Sequence, residues 1–497
     1  MSALAADPGL RSRSTAVLAV ASLAVALAAL RWAAPFAQFD GGISSSAATF
    51  TLHGLLPYRD YWLLYGPLGG YLLTPVTAIF GPSLDLVRAC GLIVIFAQGG
   101  TAFVIVRSWA PHAAAMLIAI AAVLLPAALI GIEFSPWALA MTLALAGLYL
   151  AGRSANRPLV AGLLLGLAFA SRLDVGAYAL LAALLTRDRR SILAGFAFVA
   201  VPTVALSLLT TPIADLVEQL IWYPLLGLRQ YRSVPGIEFE LPFPMLAAFV
   251  SIPLVLIPRA LIGGSIARLL LVRPTDRLVG AVTVFALLCQ LQTLGRADIH
   301  HFSQAATPAL LLLATFLIPA RRLSPVVLAV PIALVVSVIA LGIGSGFFHS
   351  GDPRDGDLER AARATTALTA RDEPIFVALS ANRYTFINPL VAYYLADRRP
   401  GTTFTLFNPG VTNTDAVQAR MVAELTASRT RVLVLDDKYS ESFESVNESR
   451  IPGSTLLDDY ITADFHRVCT FGDYWLMARS EPGEPVPACP SPEAATP

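Results

Sequence analysis

The sequence predicts a polytopic α-helical membrane protein of about 11 transmembrane helices with a C-terminal α/β domain outside the cytoplasm. Of its 497 residues, 56% are hydrophobic and only 14% are charged, whereas a soluble domain carries roughly 25% charged residues. A water-soluble globule of this composition would lack the polar surface needed to cover itself. Apolar runs of membrane-spanning length recur through residues 1–349, while residues 350–497 have the composition of a water-soluble domain.

The charge distribution supports this division into two domains. Residues 1–349 contain 21 Arg and 13 acidic residues, a net charge of +8, and residues 350–497 contain 14 basic and 21 acidic residues, a net charge of −7. The chain as a whole is close to neutral, and its basic residues form no stripe. A nucleic-acid partner is therefore excluded.

A membrane-spanning helix needs about 20 mostly apolar residues. On this criterion we expect eleven spans, at residues 15–37, 84–106, 110–130, 137–152, 158–171, 174–186, 191–211, 243–261, 278–294, 304–320 and 325–346. The two short spans at 158–171 and 174–186 could instead form one helix. We favour a pair of helices, because a single helix would bury Arg172 and Asp174 in mid-membrane.

The arginines give the orientation. Alternate connections between the spans hold 14 of the 21 Arg residues of the membrane domain but only three acidic residues. By the positive-inside rule the N-terminus is cytoplasmic and the C-terminal domain is extracytoplasmic. Span 15–37 is longer than the apolar core of a signal peptide and lacks a clean cleavage site, so we interpret it as a signal anchor. Arg is used in place of Lys everywhere except at Lys438, which is typical of a GC-rich bacterial genome and predicts the cytoplasmic membrane of a bacterium.

The outer domain alternates between β-branched or aromatic runs and helical segments. The predicted strands are Pro374–Leu379, Thr402–Phe407, Arg431–Asp436 and Val468–Arg479. The predicted helices are Pro389–Asp397, Thr414–Ser428 and Ser454–Phe465, the last two with Thr414 and Ser454 as N-caps. This alternation predicts a small α/β layer.

The chain has four cysteines. Cys90 and Cys289 fall within spans, where a thiol packs as a small apolar group. Cys469 and Cys489 are the two in the exported domain, where disulfides persist. A bridge between them would attach the Pro-rich tail to the last strand, and the sequence leaves open whether it forms.

Polar residues of the membrane domain gather on its outer side. They begin in an exofacial loop at residues 38–83 and continue in the outer connections: Asp40, Tyr58, Arg59, Asp60, Glu133, Arg172, Asp174, Arg296, Asp298, His300 and His301. Polar groups at membrane depth are costly and usually line a cavity. Carboxylates, guanidinium groups and imidazoles brought together on one face are typical of a site that holds an anionic headgroup and moves a proton.

The exofacial loop resembles that of a known family. Asp40 after the first span, then Gly54, Tyr58-Arg59-Asp60, Gly66-Pro67, Tyr71 and Phe80-Gly81 resemble the first exofacial loop of the GT-C glycosyltransferases. The branch most similar to it is the protein-mannosyltransferase-like and lipid-A-aminoarabinose-transferase-like one. The resemblance implies that a sugar carried on polyprenyl phosphate is transferred outside the cytoplasm to an acceptor hydroxyl.

The resemblance also implies roles for individual residues. Asp40 would be the catalytic base and Asp60 a second carboxylate; Gly41-Gly42 stands where the family often has a second acid. Four residues would bind the donor phosphate: Arg172, Arg296, His300 and His301. Five would line the substrate: Tyr58, Arg59, Glu133, Asp174 and Asp298.

Elementary chemistry agrees with these assignments. A leaving phosphate is well held by guanidinium groups, and one displacement assisted by a base inverts the anomeric centre. The sequence contains no phosphate loop or dinucleotide fingerprint, which is compatible with a lipid-linked donor. Adjacent histidines such as His300 and His301 point in different directions, so a divalent metal is possible but not favoured, and no cofactor is assigned. The acceptor would be a glycan, a lipid or a protein.

Other interpretations stay open at this point. A transporter or flippase would carry charges inside its spans and have related halves, and a membrane scaffold would need no catalytic base. Asp60 and Arg59 could form a local ion pair, and Arg172 with Asp174 a paired turn. Tyr58 could be an interfacial aromatic, and Glu133 a polar residue at the membrane surface.

Overall fold

The structure is a computed structural model. It describes Trp32, Phe36 and residues 39–129, 131–153, 156–186, 188–227, 244–272, 276–295, 299–317, 353–384, 388–438, 453–479 and 487–490. Within these ranges the first part of the chain is helical, and a small mixed sheet forms in the last part.

The helices of the first part, in chain order, are α1 Asp40–Leu52, α2 Leu68–Phe80, α3 Leu84–Arg107, α4 His112–Leu129, α5 Pro136–Arg153, α6 Pro158–Ser171, α7 Leu173–Ala183, α8 Arg189–Thr210, α9 Ile213–Val217, a π-helical segment Glu218–Gly227, α10 Pro244–Val272, α11 Arg277–Cys289, α12 Leu291–Gly295, α13 Ile299–Leu311 and α14 Leu313–Leu317. Several begin at a side-chain cap, as the sequence allows. Ser83 Oγ accepts a hydrogen bond from the Leu86 amide at the start of α3, and Asp276 Oδ1 accepts one from the Leu278 amide at the start of α11.

Helices cover nine of the eleven predicted spans. The spans predicted at 15–37 and 325–346 lie outside the described residues, apart from Trp32 and Phe36. Arg172 interrupts the helix between α6 and α7 with extended backbone, which confirms a pair of short helices rather than one long one. The connection predicted at residues 38–83 contains two helices, α1 and α2, which the sequence pattern did not predict.

Within the described ranges, two helices are each long and apolar enough to cross a bilayer alone, Leu84–Arg107 and Arg189–Thr210. Large apolar side chains are exposed along the second, including Phe198 and Leu209. Exposed apolar surface of this kind is typical of contact with a membrane.

The outer domain begins with α15 Pro353–Leu368 and continues with β1 Ile375–Leu379, α16 Val391–Ala396, α17 Asp415–Ala427, β2 Val432–Asp436, α18 Leu456–Asp464, β3 Phe465–Phe471 and β4 Tyr474–Arg479. The strand order in the sheet is β1-β2-β4-β3. β1 pairs in parallel with β2 in the register Ile375 to Val432, and the other pairs are antiparallel. Both parallel strands are fully buried, as strands covered on both faces are.

Two of the four predicted strands need correction. Thr402–Phe407 forms no strand, because side chains satisfy its backbone: Glu424 accepts from the Thr403 amide at 2.8 Å, and Asn388 donates to the Thr405 carbonyl at 2.9 Å. Val468–Arg479 is not one strand but parts of a hairpin, β3 and β4, that turns at Gly472 with φ +56°. The three predicted helices of the domain are confirmed to within two residues at each end.

Cys469 and Cys489 form a disulfide. The bridge joins β3 to the segment at residues 487–490, so the Pro-rich tail is attached to the edge of the sheet. Because Cys469 lies in β3, the tail is held on an outer strand and leaves the parallel pair β1–β2 undisturbed.

The outer domain packs directly on α1, chiefly through α16. Ser46 Oγ donates to the Leu390 carbonyl at 2.7 Å, and the rings of Phe50 and Tyr393 meet edge to face with centroids 5.3 Å apart. At the end of α1, His53 Nε2 lies 3.2 Å from Asp397 Oδ1. The helix that begins at Asp40 is therefore held from its first turn to its last by the outer domain.

Candidate active site

Asp40 is the first residue of α1 and is almost fully buried, with 7% of its surface exposed. Its Oδ2 accepts a hydrogen bond of 2.8 Å from Ser135 Oγ. The same hydroxyl oxygen accepts the Trp137 amide at 3.2 Å and so caps the start of α5. One serine thus fixes both the beginning of α5 and the orientation of the Asp40 carboxylate.

The glycine after Asp40 brings two further segments close to it. A Cβ at position 41 would lie 2.8 Å from the Phe36 ring and 2.9 Å from Glu133 Cβ, which is too close for any side chain. Gly41 therefore allows α1 to pack against Phe36 and Glu133, and this contact places the Glu133 side chain next to the turn that carries Asp40.

Glu133 belongs to a buried ion cluster centred on Arg88 of α3. The Arg88 guanidinium is 3.8 Å from Glu133 Oε1 and 2.7 Å from Asp355 Oδ2, and the guanidinium also lies over the Phe36 ring. Asp355, in the first turn of α15, also accepts the Phe36 amide at 3.0 Å. One cation therefore connects α3, the segment before α1, the segment before α5 and the outer domain.

The sequence reasoning missed Arg88, Ser135 and Asp355. Arg88 stood inside a predicted span, where a lone Arg in an apolar run is itself a signal of function or of a buried partner. Ser135 and Asp355 carried no comparable signal, because serine and aspartate near a helix start are common caps.

A second polar cluster lies at the break between α6 and α7. Arg172 forms a two-pronged ion pair with Asp174, with Nε 3.1 Å from Oδ1 and Nη2 2.8 Å from Oδ2. The guanidinium lies over the Tyr65 ring, 5.0 Å from its centroid, and within electrostatic range of Asp40. Gln292 of α12 donates from Nε2 to Asp174 Oδ2 at 2.9 Å.

Backbone contacts bring this break close to Asp40. The Gly66 amide donates to the Ser171 carbonyl at 3.0 Å, and a Cβ at position 66 would overlap the Ala170 carbonyl. Ser171 Oγ donates to the Pro136 carbonyl at 2.9 Å, one residue after Ser135. The ring of Phe39, next to Asp40, meets the ring of Tyr65 edge to face. These contacts bring Asp40, Arg172 and Asp174 into one region of the structure.

Asp60 lies in a tight turn and is occupied locally. Both of its oxygens accept hydrogen bonds from the Arg59 guanidinium, at 2.8 and 2.7 Å, and Oδ2 also accepts the Leu56 amide at 2.8 Å. Partial burial would raise the pKa of Asp60, but these hydrogen bonds and the nearby positive charge outweigh it and lower the pKa. The local ion pair considered from the sequence is therefore present, and Asp60 stays ionised as an acceptor.

The aromatic residues of the same segment are buried beneath the outer domain. Tyr58 donates its hydroxyl hydrogen to the Tyr65 carbonyl at 2.7 Å and is in the left-handed region with φ +67°. Trp62 stacks on Phe404, and its amide donates to the Thr403 carbonyl at 2.7 Å. The Tyr58 ring thus shapes the segment from inside, and its surroundings are protein rather than the membrane interface.

The remaining predicted residues are only partly described. Arg296 and Asp298 lie outside the described residues, and His300 and His301 lie in the first turn of α13. Across the described ranges, no three His, Cys, Asp or Glu side chains are grouped so that they could hold a metal ion.

Comparison with known proteins gives a fold. No protein-family model matches the sequence, and no curated protein matches it. Among solved structures, one that is similar is ArnT from Cupriavidus metallidurans bound to undecaprenyl phosphate. The alignment covers 93% of this chain and 97% of the ArnT chain, with 13% sequence identity and a TM-score of 0.59. A second is the archaeal oligosaccharyltransferase AglB from Archaeoglobus fulgidus, in complex with an inhibitory peptide and a dolichol-phosphate. The alignment covers 94% of this chain and 75% of the AglB chain, with 11% sequence identity and a TM-score of 0.53. Both similarities extend over the helical first part and the last part of the chain, so the chain has the fold of these two proteins.

Proposed function

We propose that this protein is a membrane glycosyltransferase that moves a sugar from a polyprenyl-phosphate donor to a hydroxyl of an extracytoplasmic acceptor. The observation that carries the proposal is the placement of Asp40: a buried carboxylate at the first turn of α1, oriented by Ser135 and within electrostatic range of Arg172. The structures with the same fold contain undecaprenyl phosphate in ArnT and a dolichol-phosphate in AglB, which supports a lipid phosphate as the donor here.

In the proposed reaction, the acceptor oxygen forms a bond to the anomeric carbon while the bond from that carbon to the phosphate oxygen breaks. Asp40 takes the acceptor proton, and the polyprenyl phosphate leaves with the bonding electron pair. Asp40 Oδ2 is held by Ser135, whereas Oδ1 accepts no hydrogen bond from the described residues and is free to receive the proton. One displacement of this kind inverts the anomeric centre.

We assign the donor phosphate to Arg296 with His300 and His301, whose segment follows directly on Gln292 in the chain. Arg172 has both prongs of its guanidinium occupied by Asp174. A guanidinium whose charge is already neutralised by a carboxylate attracts a phosphate only weakly. Arg172 is therefore not assigned to the donor phosphate. Asp298 and Glu133 stay proposed as residues around the substrate, and no metal is needed for the step as written.

We propose the cytoplasmic membrane of a bacterium as the location, with the N-terminus in the cytoplasm and the domain of residues 350–497 outside. The Arg-rich alternate connections support this orientation. The disulfide between Cys469 and Cys489 supports it independently, because such bonds persist in oxidising compartments. The acceptor is a glycan, lipid or protein present on that side.

The test is an assay of the purified protein and of its Asp40→Asn variant against a panel of radiolabelled polyprenyl-phosphate sugars with cell-envelope acceptors. Loss of the base should reduce transfer by about 10² to 10⁴-fold, while the variant keeps its thermal unfolding profile. Asp60→Asn is the matched control, since Asp60 loses the same charge in a loop turn and should keep most of its transfer activity. Equal transfer by wild type and Asp40→Asn would overturn the proposal.

A further inference from the structure

The cluster at the α6–α7 break contains an acceptor atom to which no described residue donates a hydrogen bond. Gln292 Oε1 is buried and accepts no hydrogen bond, as far as the described part of the chain shows. The carboxamide cannot be turned to hide this oxygen, because Asp174 Oδ2 is an acceptor and requires the N–H side of Gln292 at 2.9 Å. A buried acceptor without a partner costs free energy, and a bound group with an N–H or O–H would relieve that cost.

The neighbours of this oxygen define the kind of group that fits. Asp174 keeps 32% of its side chain exposed, and Arg172 keeps 11%. Gln292, Asp174 and Arg172 are joined in one network, so their donors and acceptors are held in fixed directions. The Tyr65 ring forms one side of the cluster beneath the guanidinium. Planar polar side chains beside an aromatic ring suit a neutral ring that carries several hydroxyls.

We propose that Arg172, Asp174 and Gln292 form a subsite that binds hydroxyls of the transferred sugar, with Gln292 Oε1 accepting a hydrogen bond from one of them. This inference rests on the proposed function, and it makes the donor sugar one with free ring hydroxyls or an amino group at that position. Because Arg172 lies over the Tyr65 ring, and that ring meets Phe39 next to Asp40, a sugar in this subsite would lie near the proposed base.

A phosphate fits this cluster poorly. Asp174 presents a carboxylate to any ligand that reaches Arg172, and its charge repels an anion at close range. The guanidinium prongs that would grip a phosphate are already donated to Asp174. The sugar subsite and the phosphate site are therefore separate, which is the feature that an experiment can distinguish.

The experiment compares the binding of two probes, undecaprenyl phosphate alone and the same lipid carrying the sugar that the wild-type protein transfers, identified from the donor panel. The variant is Gln292→Leu, which removes the acceptor oxygen. Gln290→Leu is the matched control, because Gln290 is two residues away and donates to the Ala305 carbonyl instead. Thermal unfolding of both variants verifies that they fold.

We expect Gln292→Leu to weaken binding of the sugar-carrying lipid about tenfold and to leave binding of undecaprenyl phosphate unchanged, while Gln290→Leu changes neither. A donor that lacks the relevant hydroxyl should bind wild type as weakly as the complete donor binds Gln292→Leu. An equal loss for both lipids in Gln292→Leu would overturn the subsite in favour of a phosphate site. No loss for either lipid would overturn it as well.

The proposed function can fail separately. If wild type transfers and binds none of the sugar-carrying lipids, the glycosyltransferase proposal fails, and the subsite fails with it. If wild type transfers sugar and Gln292→Leu shows no selective loss, only the subsite is overturned.

Discussion

At the scale of single residues, Ser135 both caps a helix and positions the proposed base Asp40. Its hydroxyl hydrogen is donated to Asp40 Oδ2, while its oxygen accepts backbone amides at the start of α5. Rigid orientation of a general base contributes to rate because it keeps the carboxylate aimed at the proton it removes. The position of Asp40 along the chain suggested a base, but the means of orienting it became visible only in the fold.

We predict that Ser135→Ala lowers kcat about tenfold by loosening Asp40 and lowers the free energy of unfolding by about 1 kcal/mol by removing the cap of α5. Steady-state transfer and thermal unfolding measure the two effects. Ser135→Thr keeps a hydroxyl and should recover most of both. A kcat unchanged in Ser135→Ala would show that the hydrogen bond has no part in orienting the base.

Arg88 is the residue on which the buried ion cluster depends. Removing this buried cation takes an ion-pair partner from both Glu133 and Asp355, a change that typically costs about 3–5 kcal/mol. We therefore predict severe destabilisation of Arg88→Met, measured as a fall in the thermal unfolding temperature.

Two further variants distinguish the effect of the lost charge from other effects of a substitution at this position on thermal unfolding. Arg88→Lys keeps the charge but loses the guanidinium geometry, and it should be intermediate. Asp85→Asn is the control: Asp85 is 3.7 Å from Arg88 with 69% of its side chain exposed, so its contribution is small. A stable Arg88→Met would contradict the central place given to this cation.

At the scale of elements, Glu424 explains why Thr402–Phe407 is not a strand. From α17 it accepts hydrogen bonds from Thr402 Oγ1, Thr403 Oγ1 and the Thr403 amide, and it forms an ion pair with Arg420. Burial would raise the pKa of Glu424, but these hydrogen bonds and the Arg420 charge outweigh it and lower the pKa.

The sign of this shift gives a prediction for stability against pH. Because the pKa of Glu424 is lower in the folded state, its stabilising contribution is complete above the unfolded value of about 4.3 and is lost as the pH falls through the folded value. Thermal unfolding between pH 3 and pH 7 should show a weaker pH dependence in Glu424→Gln than in wild type, together with a loss of about 1–3 kcal/mol at neutral pH. Parallel curves for the two proteins would contradict the assignment.

α1 connects the proposed catalytic residue Asp40 to the outer domain. It starts at Asp40 and contacts α16 along its length through Ser46 and Phe50. The small residues Gly41 and Gly42 permit both the contact with Glu133 and the close approach of Leu390. Because α1 is buried on all sides, it has no amphipathic period to mark it as a helix, and its small and polar residues form no apolar run of spanning length.

At the scale of the whole molecule, the outer domain completes the candidate active site. Asp355 connects it to the Arg88 cluster, and α16 connects it to α1. A change in the outer domain can therefore reach Asp40 through two separate contacts. Because both contacts lie on packed, buried surfaces, we expect the domain and the membrane part to move together at the site.

The disulfide provides a prediction about the outer domain. Cys469 and Cys489 are separated by 20 residues, and closing a loop of this length stabilises a domain by about 3 kcal/mol. Cys489→Ser should lower the stability of the outer domain by roughly that amount and should leave Cys469 as a free thiol that is labelled once the protein is unfolded. Thiol labelling before and after reduction checks this, with Cys90→Ser as the control that leaves the bond intact. Labelling of wild-type Cys469 and Cys489 without reductant would contradict the bridge.

Composition and apolar length indicated the class of this protein, and together with the distribution of arginine they predicted its division into two domains. They also placed the break at Arg172, because a charged pair within a long apolar run cannot stay in mid-membrane. These features depend on the residue types themselves and on their contact with lipid or water, and both can be inferred from the order of residues in the sequence. The motif between Asp40 and Gly81 likewise pointed to Asp40 as the candidate base.

Only the tertiary structure decided which charges meet. The sequence offered Arg59 as a partner for the adjacent Asp60, but it gave no partner for Glu133, which in the fold lies beside the distant Arg88. Asp355 contributes to the Arg88 cluster, and Gln292 contributes to the cluster of Arg172 and Asp174; both come from segments far away in the chain. The physical reason is that the partner of a buried charge is chosen by how helices pack, and this packing depends on many weak contacts at once, whereas the need for a partner is set by the residue alone.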